Sequence, residues 1–206
     1  MQNPLFETVP AVSPPNLLQR DGSAYYHPSI LSALSAAELM DHLQQSLIWE
    51  PDQLVIFGKE ITTRRKIAWV GDPTCSYTYS GVKKNPQPWT SELLNIKNQL
   101  EALSQAKFNS CLLNLYHDGD DGMGWHSDDE KELDASTPIA SLSLGAKRKF
   151  AFRHKKDKTT TSLFLENGSV LIMYAPTQVF WHHALLKTKT ISEARINLTF
   201  RKIIHT

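Results

Sequence analysis

Near the C-terminus the chain reads Arg195-Ile196-Asn197-Leu198-Thr199-Phe200-Arg201, a strict alternation of polar and apolar residues. A period of two places Ile196, Leu198 and Phe200 on one face of a strand and the four polar residues on the other. Such a strand must bury its apolar face. Its polar face then either meets water at a sheet edge or lines an internal cavity. The two arginines give the second placement a purpose, because a guanidinium fork stays charged and binds a carboxylate through two parallel bonds. Cys111-Leu112-Leu113-Asn114-Leu115-Tyr116 repeats the theme, with Asn114 and Tyr116 sharing a face.

These two segments belong to a longer β region. Candidate strands are 109–116, 138–145, 148–154, 162–165, 169–175, 179–184 and 194–203, with Gly119, Gly122, Gly145 and Asn167-Gly168 marking turns. Many short strands with turn punctuation indicate a sandwich or barrel. Upstream, Gln53 to Phe57 and Thr62 to Asp72 are strand-like. Two helices are expected: one from a capping box at Ser35-Ala36-Ala37-Glu38 to about Trp49, the other carrying Leu93, Ile96, Leu100 and Leu103 on one face. The proline-bearing residues 1–28 read as an extended arm, and 29–206 as a single domain. The fold class is therefore mainly β with flanking helices (α+β).

Between the two polar strands lies Gly124-Trp125-His126-Ser127-Asp128-Asp129, and after most of the β region comes His182-His183. In extended chain His126 and Asp128 leave the same face. Two imidazoles and one carboxylate, with no cysteine, form the ligand set that leaves open positions on non-haem iron(II). His182 and His183 project from opposite faces of a strand, so only one of them reaches a shared cavity.

Charge narrows the partners. The net charge of +1 makes no whole-molecule case for a polyanion, but the signs are segregated. Lys147 to Lys158 holds seven basic residues and one acid, whereas His117 to Asp134 holds eight acids and one lysine. A basic segment of that density grips phosphates or simply solvates a loop. The two cysteines, Cys75 and Cys111, have no C-x-x-C partner, which argues against a zinc site or disulfide framework. No apolar run reaches transmembrane length and no n-region precedes a hydrophobic stretch, so the expectation is a cytoplasmic protein, nucleoid-associated if bacterial and nuclear if eukaryotic, without membrane contact; a monomer is expected.

Asn114-Leu115-Tyr116, His126-x-Asp128, His183 and Arg195-x-Asn197-x-Thr199-x-Arg201 together resemble the AlkB family of Fe(II)- and 2-oxoglutarate-dependent dioxygenases. Pro138 to Gly145 and Ala194 to Ile203 are most similar to its duplex-DNA demethylase branch. The resemblance spans about Val55 to Ile204 and implies a double-stranded β-helix (jelly-roll) core at about 109–204, with a nucleotide-recognition region at about 50–90. It implies Fe(II) on His126, Asp128 and His183, the last chosen because the family places a leucine two positions after its ligand, as Leu185 is here. 2-Oxoglutarate would be bound by Asn114, Tyr116, Arg195, Asn197, Thr199 and Arg201, with Arg201 on its terminal carboxylate and Arg195 near the metal-bound one. Dioxygen is the third reactant. The activity implied is oxidative removal of methyl groups from 1-methyladenine and 3-methylcytosine in DNA, releasing formaldehyde and succinate. RNA, a protein or a small metabolite are the alternative substrates.

Substrate contacts are expected from Asp129, from Trp69, Tyr77, Tyr79 and Ser80 around the extruded base, and from Arg148, Lys155 and Lys156 on phosphates. Phe57, in Val55-Ile56-Phe57-Gly58-Lys59, is the candidate wedge that fills the gap left by a flipped nucleotide. His117 and His154 read as surface residues.

Overall fold

The computed structural model describes residues 14–56, 59–75, 77–79 and 82–204, with the backbone alone described at 52–56, 59–61, 77–79 and 82–84. In chain order the elements are β1 (Ser23–His27), α1 (Ala33–Ser46), β2 (Glu50–Ile56), β3 (Lys59–Gly71), β4 (Tyr77–Tyr79), β5 (Val82–Lys84) and α2 (Ser91–Ser104). Then follow β6 (Ser110–Tyr116), β7 (Met123–His126), β8 (Ile139–Gly145), β9 (Arg148–His154), β10 (Thr160–Leu165), β11 (Ser169–Tyr174), α3 (Thr177–Phe180), β12 (Trp181–Leu185) and β13 (Arg195–Arg201).

A seven-stranded sheet ordered β1-β11-β8-β13-β6-β3-β2 faces a four-stranded sheet ordered β10-β9-β12-β7. All pairings within both are antiparallel. This is the jelly-roll arrangement expected from the strand pattern.

β13 lies in the middle of the large sheet, between β8 and β6, so its polar face is not an edge exposed to water. Its apolar residues Ile196, Leu198 and Phe200 are buried with Leu113, Leu142, Val170 and Ile172 from the neighbouring strands. The helices cover that face: Leu39 and Leu43 of α1 and Leu93, Ile96 and Leu100 of α2 join the same core. Each such side chain contributes about 1.5–3 kcal/mol by leaving water. A second apolar cluster, including Leu18, Ile139, Phe152, Leu171 and Trp181, joins residues of both sheets. What remains between the sheets is the polar face of β6, β8 and β13.

Several expectations shift. α1 starts earlier than the Ser35 capping box: Ser32 is the N-cap, its hydroxyl accepting from the Ser35 amide at 3.0 Å. Either serine satisfies an N-cap, and the earlier one adds a further turn of helix. α2 is capped by Thr90 and carries Leu93, Ile96 and Leu100 inward as read. Residues 23–27, read as the end of an arm, form β1 and pair with β11 from Ser23↔Tyr174 to His27↔Val170. Leu18 just before them is 3% exposed. At the β10–β11 turn Gly168 takes φ +72, a conformation open to glycine and strained for other residues.

Candidate active site

β7 and β12 pair antiparallel with His126 opposite His183, and the two imidazole centroids lie 4.2 Å apart. The chain then leaves the sheet and returns Asp128 to the same space, with Oδ1 at 3.7 Å from His126 Nε2. One ligating atom from each of the three residues falls within 4.8 Å of the others. His126 Nδ1 is 2.8 Å from the Gly124 carbonyl. Donation there leaves the Nε2 lone pair facing the site. His183, 4% exposed and stacked on Phe150, is pushed down to about 4 by burial, so its ring is neutral. Burial alone would raise Asp128, but Arg201, His183 and His126 outweigh it and hold the carboxyl below its ordinary range. Two imidazoles and one carboxylate suit a divalent metal, and His183 Nδ1 is buried without a hydrogen-bond partner. His182 pairs with Arg153 and does not line this cavity, so the structure selects His183.

Above the triad stands the polar wall. The register sets Arg195 opposite Tyr116 and Asn197 opposite Asn114. Arg195 Nη2 donates to Ser143 Oγ at 2.8 Å and to Asn197 Oδ1 at 2.9 Å, and its guanidinium lies over the Tyr116 ring at 5.5 Å. Asn197 is itself held by Ser141 Oγ (2.9 Å) and donates to Thr199 Oγ1 at 2.8 Å. Arg195 is 1% exposed, and burial pushes its guanidinium down to about 10, still charged at neutral pH. Among the described residues no carboxylate lies within ion-pair distance of Arg195, and its Nε is buried without a partner. A buried cation of this kind is a prepared anion site. Leu112, Met123, Phe150 and Leu185 supply the apolar lining between wall and triad.

The two arginines lie at opposite ends of the cavity. Arg201 Nη1 lies 3.9 Å from Asp128 Oδ1 and 3.7 Å from Glu130 Oε1, beside the metal ligands. Arg195 sits at the other end of the strand, against β8 and Tyr116. The family motif names both residues but does not say which end of β13 meets the metal loop.

Arg148 needs the plainest correction. It is fully buried, donating from Nη1 to the Asp118 carbonyl and from Nη2 to those of Gly119, Asp121 and Leu186, at 2.6–3.2 Å. It staples the acidic loop onto the sheet just before β7 and is closed to phosphates. Gly119 in that loop passes so close to Thr188 that a Cβ would strike its carbonyl. His154 is also inside, 2% exposed, with Asp21 and Asp157 at 3.2 and 3.1 Å. His117 is half-buried beside Asp121.

Of the other substrate-side residues, Trp69 pairs with Leu112 and so shares the cavity face of the sheet, its indole donating to Ser110 Oγ at 2.9 Å. Asp129 is exposed at the mouth, 3.4 Å from Lys155 Nζ. Lys156 stands free in the turn after β9. Tyr77 and Tyr79 fall on β4, of which the backbone alone is described, and Phe57 and Ser80 lie outside the described residues. Ser127 and Gln178 carried no sequence signal of their own, whereas Ser143 shares with Ser141 the period-two alternation of β8 and could have been found by it.

Comparison with known proteins agrees with this geometry. A family model described as the 2OG-Fe(II) oxygenase superfamily matches residues 23–201. The chain is similar to the DNA oxidative demethylase ALKBH2 of Bos taurus, 41% identical over 159 residues, covering 73% of this chain and 57% of that protein. For ALKBH2 of Homo sapiens the identity is 36% over 200 residues, covering 92% and 77%. The human alpha-ketoglutarate-dependent dioxygenase alkB homolog 3 is 35% identical over 189 residues, covering 86% and 65%. The solved structure of OsALKBH1 superposes with a TM-score of 0.63 at 19% identity, over 90% of this chain and all of that one, and shares the fold.

Proposed function

The chain belongs to the 2OG-Fe(II) oxygenase superfamily and within it to the AlkB family, and from that membership we propose that it oxidatively demethylates nucleobases in DNA. The observation that carries this reading is a buried, uncompensated Arg195 in the same cavity as the His126–Asp128–His183 triad. Such a pair of features suits a dicarboxylate that also ligates a metal.

His126, Asp128 and His183 would hold Fe(II), which together with 2-oxoglutarate and dioxygen supplies the oxidising chemistry. The protein's own part is placement. Arg195 takes the far carboxylate, steadied by Asn197 and Ser143 and flanked by Asn114 and Tyr116. Arg201, beside Asp128, offers its guanidinium to the carboxylate at the metal end. Leu112, Met123, Phe150 and Leu185 keep water from the space between. At the mouth, Asp129 can accept from an exocyclic amine of the target base. Trp69, on the cavity face, is the aromatic placed to stack on it, and Phe57, Tyr77, Tyr79 and Ser80 complete the proposed nucleotide-recognition region. Lys155 and Lys156, in the turn after β9, would contact phosphates, which favours a nucleic-acid substrate over a small metabolite.

Single- and double-stranded DNA oligonucleotides and RNA oligonucleotides carrying 1-methyladenine or 3-methylcytosine, incubated with the protein, Fe(II) and 2-oxoglutarate, should release formaldehyde and recover the unmodified base. Succinate production without formaldehyde from any DNA substrate would overturn the reading, and turnover confined to RNA would replace it.

A further inference from the structure

The β7–β12 ladder ends at the His126↔His183 pair, yet the third ligand lies two residues further on, outside the sheet. Two side-chain bonds continue the attachment. Ser127 Oγ donates to the Trp181 carbonyl at 2.9 Å, and the Asp128 amide donates to Gln178 Oε1 at 3.0 Å. Both partners sit on α3 and the start of β12, the segment that carries His183. The turn bearing Asp128 is thereby tied twice, immediately before the carboxylate, to the segment that carries His183.

Gln178 is itself held. Its Nε2 lies 3.5 Å from the sulfur of Met173, which lines the cavity, and its backbone carbonyl accepts from Lys155 Nζ at 2.8 Å. Lys155 also reaches Asp129. One half-buried glutamine thus links the Asp128 turn, the floor of the cavity and the rim lysine.

We infer that Gln178 is a positioning residue for the metal site, its amide oxygen standing in for the missing ladder bond and setting the place of Asp128 relative to His126 and His183. The inference rests on the triad being a metal site. Groups that orient ligands without touching the metal are worth about 10- to 100-fold in metal affinity.

The test is an anaerobic Co(II) titration of the intact protein, followed by visible absorption. Gln178→Met keeps length and removes the acceptor; Gln178→Glu keeps an acceptor at the same reach. Gln178→Met is expected to weaken Co(II) binding by about tenfold or more, with the melting temperature of the metal-free protein little changed. Gln178→Glu should restore binding. Ser127→Ala, which removes the other tie, should weaken Co(II) binding in the same sense and serves if Gln178→Met folds poorly. Wild-type affinity in both Gln178→Met and Ser127→Ala overturns the inference, as does equal loss in Gln178→Met and Gln178→Glu. Failure of the wild-type protein to bind Co(II) at all would instead overturn the metal reading beneath it.

Discussion

The Arg201 guanidinium stands 3.9 Å from the Asp128 carboxylate, a cation placed against the one anionic member of the metal triad. Both side chains are largely buried. The contact is too long for a tight ion pair, and Arg201 Nε has no partner. The guanidinium therefore holds Asp128 ionised while keeping donors free for a second anion at the metal end. Arg195, 1% exposed and without an acid beside it among the described residues, is under the proposed function the group that meets an anion at the far end.

That division separates the two conservative variants. Arg195→Lys keeps the charge but loses the fork, and an ammonium cannot serve both the Ser143–Asn197 pair and a carboxylate. We expect 2-oxoglutarate affinity to fall by about 1.5–3 kcal/mol with metal affinity unchanged. Arg201→Lys, beside Asp128, should alter metal and 2-oxoglutarate binding together. Anaerobic titrations with Mn(II) and then 2-oxoglutarate distinguish the cases; metal affinity moving in Arg195→Lys alone would restore the opposite assignment.

Alanine at His126, Asp128 or His183 should abolish both metal binding and turnover, since each removes one of three ligands. His182→Ala should leave both intact, because His182 faces Arg153 across the outer side of the small sheet. A dead His182→Ala with a live His183→Ala would mean that β12 is shifted by one residue.

The distribution of what could be read from the chain has a physical cause. Strand alternation is local and periodic, so β13, β6 and the cavity face were legible, as were ligands two residues apart. Pairing across long separations is not local: nothing in Ser23–His27 announces Val170–Tyr174 as its partner. Charge counting treats every basic residue in 147–158 alike, yet Arg148 enters β9 facing inward and Lys156 lies in the following turn. Gln178 sits on the four-residue α3 with nothing local to mark it, and only the folded chain brings it to Asp128.

Acid should reveal Glu101, 5% exposed at its side chain and accepting from Lys97, Lys107 and the Phe108 amide at 2.7–2.9 Å. Burial by itself would raise its carboxyl, but those bonds outweigh burial and hold it below the ordinary range. A depressed folded-state value stabilises the protein above the unfolded-state value near 4.5, and that stability is lost as pH falls through the folded-state value. Glu101→Gln should therefore lose less melting temperature than wild type between about pH 6 and about pH 3. Parallel curves would mean that Glu101 gains nothing from ionising in the folded protein.

The basic segment contains two kinds of residue, and one pair of variants tells them apart. Arg148 donates to four backbone carbonyls, so Arg148→Ala takes a donor from each, and only that of Gly119 keeps a second one, the Thr188 amide, among the turn and loop bonds. We expect a loss of about 3 kcal/mol or more in urea unfolding. A lysine offers one point charge where a fork reaches several oxygens, so Arg148→Lys recovers only part. The salt dependence of DNA binding by Arg148→Lys should match wild type, because the group never meets a phosphate. Lys156→Ala should do the opposite: unfolding unchanged, and a salt slope lower by about one unit for the single contact removed. If Arg148→Lys alone lowers the slope, Arg148 moves out to the nucleic acid on binding and the buried staple is not its bound state. If Lys156→Ala leaves the slope untouched, that lysine serves only to solvate its turn.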